Sequence, residues 1–338
     1  MYQNVYKYDD MKRSEHMAVR KTFGWYYFTH QIVEVIGQDC DAFLDEMFAN
    51  PVANLKPGRA RYTTMLNEHA EIIDDVVVFR MEEKQFWVST LFAFKMLLWF
   101  DAHKGERDVA YKNITEQWDM YAVQGPKSRD VINSLVQNDV NEQKFFEIRD
   151  NKIGEILVKI SRAGFTGEKL GFEIYVSPEQ GAQIEDKLKK AAEIFDGKEV
   201  TEFQVMTLTL PAEKGFYCMR DLMHTNPFEV GLEHGIDWNR SFIGKEALAD
   251  IREKGAEKEM VGFNVNQADV QINHKCFGGP GDPVMKDGEE AGRVSKFTYS
   301  FMLDKNIGYI LARKGCLKTG DKVLIHGYEA VIADKPFV

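Results

Sequence analysis

The strongest constraint on the fold is a change of pattern near residue 255. Before this point, short apolar runs with strand character alternate with amphipathic helical segments, whereas only strand-like runs and turns follow it. Several short strands without helices are typical of a small β-barrel or sandwich. We therefore predict three parts, at residues 1–117, 118–254 and 255–338, of which the last is a barrel. The first two parts can interleave in space.

The first part contains three strand-like runs in succession, at residues 61–66, 72–80 and 85–90. Short polar turns join them, so an antiparallel meander is expected. Upstream, the aromatic and β-branched run 25–35 predicts one strand, and residues 39–48 predict a helix. The first part is therefore expected to contain a sheet with few helices.

The second part repeats a mixture of strands and helices. Strands are predicted at residues 120–124, 156–161 and 171–176. The clearest helix of the chain follows Ser177, because Pro178 suits the first helical position and apolar residues recur on one face. The fold class that results is α+β.

The charge and cysteine content exclude several classes of protein. Lys and Arg total 43 against 53 Asp and Glu, and a net charge of −10 disfavours nucleic acid or anionic membranes as partners. The most apolar stretch, residues 86–100, contains Lys95 and is shorter than the roughly 20 residues of a membrane span. The four cysteines are far apart and the start of the chain lacks a signal-peptide layout, so a cytoplasmic location is expected.

Adjacent acidic residues, Asp74 and Asp75, lie inside the apolar run 72–79. Because side chains alternate along a strand, the two carboxylates should project to opposite faces, and at least one should approach a buried environment. One interpretation is that the pair starts the strand from a solvated turn. The other is a desolvated carboxylate that serves a reacting nitrogen or a developing positive charge.

A second candidate is Glu173, which lies inside the strand-like run 171–176. An exposed strand face would explain it without any function. Alternatively, its carboxylate accepts two parallel N–H bonds from a flat heterocycle such as a pterin or a guanine edge.

The patterns of other active sites do not occur in the sequence. The eight histidines are scattered without an H-x-x-x-H pair, so no metal site is predicted. The nucleophile elbow G-x-S-x-G does not occur either. Hydrolysis by a metal ion or by a serine nucleophile is therefore disfavoured.

Taken in order, several motifs resemble those of the glycine-cleavage T-protein (aminomethyltransferase) superfamily, which includes tetrahydrofolate-dependent demethylases. The resemblance runs from about residue 17 to residue 337 and includes a G-[FY]-E motif at Gly171 to Glu173. The other matching segments are M-A-V-R at 17–20, R-Y at 61–62, D-D at 74–75, V-Q-G-P at 123–126, R-A-G-F-T-G-E at 162–168, N-P-F-E-V-G-L at 226–232, F-I-G-K at 242–245 and K-P-F at 335–337.

The resemblance implies a three-domain ring of two αβ domains with antiparallel sheets and a C-terminal β-barrel, around a central folate channel. It assigns the catalytic aspartate to Asp75 and the pterin anchor to Glu173, with Tyr62 beside the folate. The other residues that we assign to the folate site are Asp74, Ser89 and Phe165. For the donor pocket we predict Trp25, Tyr27, His30 and Tyr299. The aromatic faces among these residues would suit a cationic or aryl donor.

The sequence also departs from the family pattern. Where T-proteins carry G-A-R-D-x-x-R-L-E, residues 205–213 read V-M-T-L-T-L-P-A-E, so both arginines are missing, near Thr207 and Pro211. Phe165 stands for a tyrosine, and Ser89 for an asparagine. These changes favour a methyltransferase or demethylase that moves a methyl group from a small sulfonium, methylamine or methyl ether donor to N5 of tetrahydrofolate.

Two alternatives to the methyltransferase hypothesis stay open. One is a glycine-cleavage aminomethyltransferase, which would have a lipoyl carrier protein as its partner. The other is a non-catalytic folate-binding protein that assists iron–sulfur enzymes, since K-G-F-Y-C at residues 214–218 partly matches the motif of that group.

Overall fold

The computed structural model describes residues 6–28, 30–276 and 279–338. Within these residues, the α-helices in chain order are α1 (Asp10–Lys21), α2 (Cys40–Met47), α3 (Ala93–His103), α4 (Ser128–Leu135), α5 (Pro178–Phe195), α6 (Leu210–Glu213), α7 (Met219–Leu222), α8 (Pro227–Val230) and α9 (Lys245–Lys254). A π-helical turn, Val205–Thr209, leads directly into α6.

The strands of the same residues form three sheets. In chain order they are β1 (Gly24–Tyr27), β2 (Gln31–Ile36), β3 (Arg59–Leu66), β4 (Ile72–Glu82), β5 (Gln85–Thr90), β6 (Ala110–Asn113), β7 (Asp119–Gln124), β8 (Ile148–Ile153), β9 (Ile156–Ser161), β10 (Gly171–Val176), β11 (Lys198–Glu199), β12 (Lys258–Val265), β13 (Pro283–Lys286), β14 (Glu289–Ser300), β15 (Lys305–Arg313), β16 (Lys322–Ile325) and β17 (Tyr328–Ala333).

The first sheet has the order β3-β4-β5-β2-β6, and the second sheet has the order β11-β1-β7-β10-β9-β8. Strands β12 to β17 close into a six-stranded barrel. The pairings within the first sheet are antiparallel, as are those of the second sheet except for β1 with β11. The prediction of an α+β protein with antiparallel sheets and a C-terminal barrel is confirmed.

The prediction of a single strand over residues 25–35 was wrong. Strand β1 pairs with β7 in the second sheet, where Trp25 faces Val123, whereas β2 pairs with β5 in the first sheet, where Val33 faces Val88. Both segments are rich in aromatic and β-branched residues because each lies in a sheet with apolar neighbours. Periodicity therefore gives no signal for the change of sheet between them.

Each sheet packs helices on one face and faces the other sheet with its second face. Helices α2 and α3 cover the first sheet with buried residues such as Phe43 and Phe100. Helices α4 and α5 cover the second sheet with residues such as Ile132 and Leu188. Between the two sheets, Tyr175 of β10 packs against Phe79 of β4 and Trp87 of β5, with ring centroids 6.3 and 6.1 Å apart.

Short helices connect the second sheet to the barrel and bring the barrel close to the first sheet. Helix α7 contacts both β4 and β14, and the amide of Ile72 donates to the carbonyl of Thr225 at 2.8 Å. This connection places the start of β4 beside the wall of the barrel. In the described part of the chain, no helix is long and apolar enough to cross a bilayer.

Candidate functional site

The two adjacent aspartates of β4 lie on opposite faces of the first sheet. Asp74 is only 2% exposed and accepts hydrogen bonds from the Thr90 hydroxyl at 2.6 Å and from the Asp75 amide at 2.9 Å. Asp75 is half-buried, and its Oδ2 accepts from the Tyr62 hydroxyl at 3.1 Å. Because Val77 and Phe79 share the face of Asp75, this carboxylate opens toward the space between the two sheets.

Both carboxyl groups are harder to ionise than an exposed aspartate. Burial raises the pKa of Asp74 to about 7, in spite of the hydrogen bond from Thr90. Burial also raises the pKa of Asp75 to about 6, and the hydrogen bond from Tyr62 acts in the opposite direction. The side chain of Asp75 can therefore change its protonation state close to neutral pH.

Tyr62 and Ser89 lie on the same face of the first sheet as Asp75. Tyr62 faces Val77 across the β3–β4 pair, and Val77 faces Ser89 across the β4–β5 pair. Directly opposite residues of an antiparallel pair share a face. The Ser89 hydroxyl lies 2.7 Å from His30 Nδ1, so Ser89 and His30 extend the wall that begins with Asp75.

His30 belongs to an aromatic cluster at the edge of this wall. Its ring stacks on Phe165, with centroids 5.9 Å apart, and contacts Phe28 edge-on at 4.4 Å. Burial lowers the pKa of His30 to about 4, so its imidazole is neutral at physiological pH. It can donate or accept a hydrogen bond but brings no charge to the site.

Glu173 faces the same space from the second sheet. It is 7% exposed, and the Tyr175 hydroxyl donates to its Oε2 at 2.9 Å. No second hydrogen bond reaches this carboxylate from the residues that the structure describes. Burial raises the pKa of Glu173 to about 7, and the single bond from Tyr175 only partly offsets this effect.

Asp75 and Glu173 together have unusual spare hydrogen-bonding capacity. An ionised carboxylate has about four acceptor sites, and each of these two side chains accepts one hydrogen bond from another side chain. A ligand with several N–H groups would satisfy both. A flat heterocycle with adjacent N–H donors fits Glu173, and a basic nitrogen fits Asp75.

Comparison with known proteins identifies the family. Residues 1–240 match the GCVT N-terminal domain, and residues 258–338 match the glycine cleavage T-protein C-terminal barrel domain. The chain is 31% identical over 330 residues to an aminomethyltransferase of Thermotoga neapolitana, an alignment that covers 96% of this chain and 88% of the relative. The chain belongs to the glycine-cleavage T-protein family.

Two further T-protein relatives agree with this assignment. An aminomethyltransferase of Thermoanaerobacter pseudethanolicus is 30% identical over 328 residues, covering 96% of this chain and 86% of the relative. The crystal structure of the glycine cleavage system aminomethyltransferase T from Bartonella henselae superposes with a TM-score of 0.84 at 21% identity. That superposition covers 97% of this chain and 89% of the Bartonella chain and supports the T-protein fold.

Three of the four residues predicted for a donor pocket do not share the space between the two sheets that Asp75 and Glu173 face. Trp25 is buried in the core between the second sheet and α5, on the face away from Glu173. Tyr27 is 48% exposed and donates to Asp119 at 2.9 Å, and Tyr299 is buried in the barrel, where it donates to Asp304 at 2.6 Å. Side-chain alternation along β1 explains the positions of Trp25 and Tyr27, because Tyr26, which lies between them, shares the face of Glu173.

The positions of the missing T-protein arginines lie next to a buried ionic cluster. The Thr207 hydroxyl donates to the Phe203 carbonyl at 2.9 Å, and Pro211 lies inside α6. The glutamate of the same motif, Glu213, is retained and fully buried. Its carboxylate lies 3.0 Å from both His16 Nε2 and Arg20 Nε, and it accepts from the Ser300 hydroxyl at 2.6 Å and from the Met302 amide at 3.1 Å.

Sequence reasoning missed a second group of polar residues near Asp75. Asp221 of α7 and Lys296 of β14 form a fully buried ion pair at 2.8 Å, and Lys335 donates to the Tyr217 hydroxyl. The sequence offered only a weak signal, a lysine directly before Phe297 in the strand-like run 292–298. Nothing in the sequence indicates that Tyr217, Asp221, Lys296 and Lys335 meet.

Proposed function

We propose that this protein is a tetrahydrofolate-dependent one-carbon transferase in which Asp75 lies beside N5 of the folate. The observation that carries the proposal is the Asp75 carboxylate, which is half-buried, accepts one side-chain hydrogen bond and has a pKa raised to about 6. A carboxylate in this state can accept the proton that N5 releases, or stabilise positive charge that develops on that nitrogen. Family membership supports the same assignment.

The residues around Asp75 fit a reduced pterin. Glu173 has free acceptor positions and would accept N–H bonds from the pterin edge, which would reduce the cost of burying its charge. Tyr62 holds the Asp75 carboxylate, while Ser89 and Phe165 border the same space through His30. Asp74 is held by Thr90 on the core side and would act only through the position of β4.

Tetrahydrofolate would supply the nucleophilic nitrogen, and the protein would supply alignment. Fixing donor and acceptor in one cavity can contribute about 7 to 11 kcal/mol toward the barrier. The aromatic contacts between the sheets and the buried Tyr175 exclude water from the side of Glu173. Exclusion of water strengthens the interaction between Asp75 and a positive charge.

The names of the relatives favour the aminomethyl group as the carbon unit over the methyl group that the sequence departures suggested. Relatives that align over 96% of this chain are named aminomethyltransferases. In that reaction the donor would be an aminomethylated lipoyl group on a carrier protein, and the products would be 5,10-methylene-tetrahydrofolate, ammonia and the dihydrolipoyl carrier. This is our first candidate for the donor.

A methyl donor is the second candidate, and the segment 205–213 favours it. Thr207 is engaged by a backbone carbonyl, and Pro211 has no N–H or charge to offer to a ligand. The Glu213 carboxylate accepts contacts from four partners, so it is occupied by the protein itself. A donor that relies on the two family arginines would lose those contacts in this chain.

Product analysis tests the proposal. The protein is incubated with tetrahydrofolate and either aminomethylated lipoyl carrier protein or a panel of methyl ethers, methylamines and sulfonium compounds. Formation of 5,10-methylene-tetrahydrofolate identifies an aminomethyltransferase, and formation of 5-methyl-tetrahydrofolate identifies a methyltransferase. Tight binding of folate without either product would overturn the proposal and support a non-catalytic folate-binding protein.

A further inference from the structure

Four polar side chains from three separate segments meet between the barrel and the first sheet. They are Tyr217, Asp221, Lys296 and Lys335, and we call them the lysine cluster. The Lys296 ammonium lies 5.0 Å from the ring centroid of Tyr309, and the Lys335 ammonium lies 5.1 Å from the same ring. Two ammonium groups therefore share one aromatic ring, whereas the cluster contains a single carboxylate.

That carboxylate, Asp221, forms an ion pair with Lys296. Asp221 Oδ2 lies 2.8 Å from Lys296 Nζ and also accepts from the Cys218 amide at 3.0 Å, while Oδ1 accepts from the Ser295 hydroxyl at 3.2 Å. Burial alone would raise the pKa of Asp221, but Lys296 outweighs this effect and lowers it. The pair is thus a neutral unit in which Asp221 stays ionised.

Lys335 has no such partner. Its ammonium donates to the Tyr217 hydroxyl, and no carboxylate of the described residues lies within ion-pair distance. Burial lowers the pKa of Lys335 to about 8; the charge of Asp221 acts in the opposite direction, and the charge of Lys296 acts in the same direction as burial. A half-buried ammonium that forms no ion pair attracts an anion and can also release its proton.

The lysine cluster borders the space that contains Asp75. Helix α7, which carries Asp221, packs against β4, and Tyr217 and Tyr309 pack in one apolar cluster with Ile72 at the start of that strand. The charges of Asp221 and Lys296 act on the pKa of Asp75, and Tyr217 acts on that of Tyr62. Asp75 can thus accept a proton on the side of the first sheet, and Lys335 can donate a proton on the side of the barrel.

We propose that Lys335, supported by Tyr217, binds and protonates the leaving group of the one-carbon donor. The donor would then be a neutral thioether or ether. Its sulfur or oxygen is the leaving atom and departs as a thiolate or a phenolate. A sulfonium or quaternary ammonium donor is disfavoured, because its positive leaving atom would lie beside an uncompensated ammonium. This inference rests on the proposed function and narrows its donor class.

The reaction step balances with the groups that are present. The bond between the carbon unit and the sulfur or oxygen breaks, and its electron pair stays on that atom. The carbon forms a bond to N5, the N5 proton moves to the Asp75 carboxylate, and an Nζ proton of Lys335 moves to the leaving atom. Exchange with water afterwards returns both side chains to their starting states.

A chromogenic analogue of the leaving group tests Lys335 without folate or turnover. In titrations of 4-nitrophenol and 4-nitrothiophenol with the full-length protein, the absorption band of the anion reports the pKa of the bound analogue. We expect the wild-type protein to lower this pKa by about one to three pH units, the usual effect of an adjacent opposite charge. The variant Lys335→Met should lose the shift, and Lys322→Met, on an exposed strand position, should keep it.

The arginine variant separates binding from proton transfer. Lys335→Arg retains the charge but holds its proton too tightly to transfer it, so it should keep the shift of the bound analogue and lose transfer activity with thioether or ether donors. An equal pKa of the bound analogue in wild type and Lys335→Met would overturn the inference, as would full activity of Lys335→Met with these donors. A wild-type protein that shifts the analogue but transfers no carbon unit would instead overturn the proposed function alone.

Discussion

Asp75 and Tyr62 are held together across two neighbouring strands of the first sheet, with the Tyr62 hydroxyl 3.1 Å from the Asp75 carboxylate. The tyrosine fixes the direction of the carboxylate and favours its ionised form, whereas burial favours the protonated form. The opposition of these two effects makes the pair sensitive to substitution.

Replacing Asp75 by Asn should lower the rate of carbon transfer by about 100-fold or more, the usual scale for a positioned acid–base group. The amide has nearly the same shape but cannot accept the N5 proton. Single-turnover rates at saturating tetrahydrofolate measure the effect. Asp186→Asn, on the exposed side of α5, is the matched control and should react like the wild type. A fully active Asp75→Asn protein would remove Asp75 from the mechanism.

The transfer rate should rise with pH through a midpoint near 6, because Asp75 must be ionised to accept a proton and its pKa is raised to about 6. Tyr62→Phe removes the hydrogen bond that favours the ionised form, so the midpoint should move to higher pH. The pH profile of the single-turnover rate reports both midpoints. A midpoint that does not move, or that moves to lower pH, would contradict the assigned role of Tyr62.

Glu173→Gln should weaken the binding of tetrahydrofolate more than it slows the reaction of the bound complex. Binding is measured by calorimetry and the bound reaction by single-turnover rates. The reason is that Glu173 contacts the pterin edge in the proposal and not the reacting nitrogen. Equal losses in affinity and rate would place Glu173 in the chemical step instead.

The same substitution should stabilise the protein at high pH when no folate is present. The pKa of Glu173 is raised from 4.5 to about 7 in the folded state, so its ionisation destabilises the fold as pH rises through this range. Denaturant midpoints should show a gain for Glu173→Gln on the order of 2 kcal/mol at pH 8 and little gain at pH 4. A loss of stability at pH 8 would mean that the charge has a partner in the folded protein.

Glu213→Gln should destabilise the protein by about 3 kcal/mol, because an amide cannot neutralise the buried charge of Arg20. Burial would raise the pKa of Glu213, but His16, Arg20 and Ser300 together lower it to about 2. The stabilisation is therefore present above pH 4.5 and disappears as pH falls toward 2. Thermal unfolding measures the loss, and Glu193→Gln on the exposed side of α5 is the control.

The sequence predicted those parts of the fold that depend on local pattern. The meander of β3, β4 and β5, the strand that carries Glu173 and the helix that begins at Pro178 follow from periodicity and turn residues. The opposite projection of Asp74 and Asp75 follows from strand alternation alone. The three-part boundaries remain a prediction.

Features that depend on tertiary contacts could not be predicted. Trp25 and Tyr26 are adjacent and similar, and only the pairing of β1 with β7 determines which of them faces Glu173. The lysine cluster combines three segments that are far apart in sequence, at residues 217–221, 296 and 335. A buried cation can be tolerated only when such distant partners meet, and no local pattern reports that meeting.

The separation of β1 from β2 limits how this protein can be divided. A break of the chain near residue 117 would leave β1 with the N-terminal fragment, although its partners β7 and β11 belong to the other fragment. The first sheet would stay whole in the N-terminal fragment, but the second sheet would lose β1 from between β7 and β11 and would expose strand edges that invite aggregation. Recombination and the design of chimaeras should therefore treat the two sheets as one unit, and a barrel exchanged after α9 would have to keep the buried pair between Asp221 and Lys296.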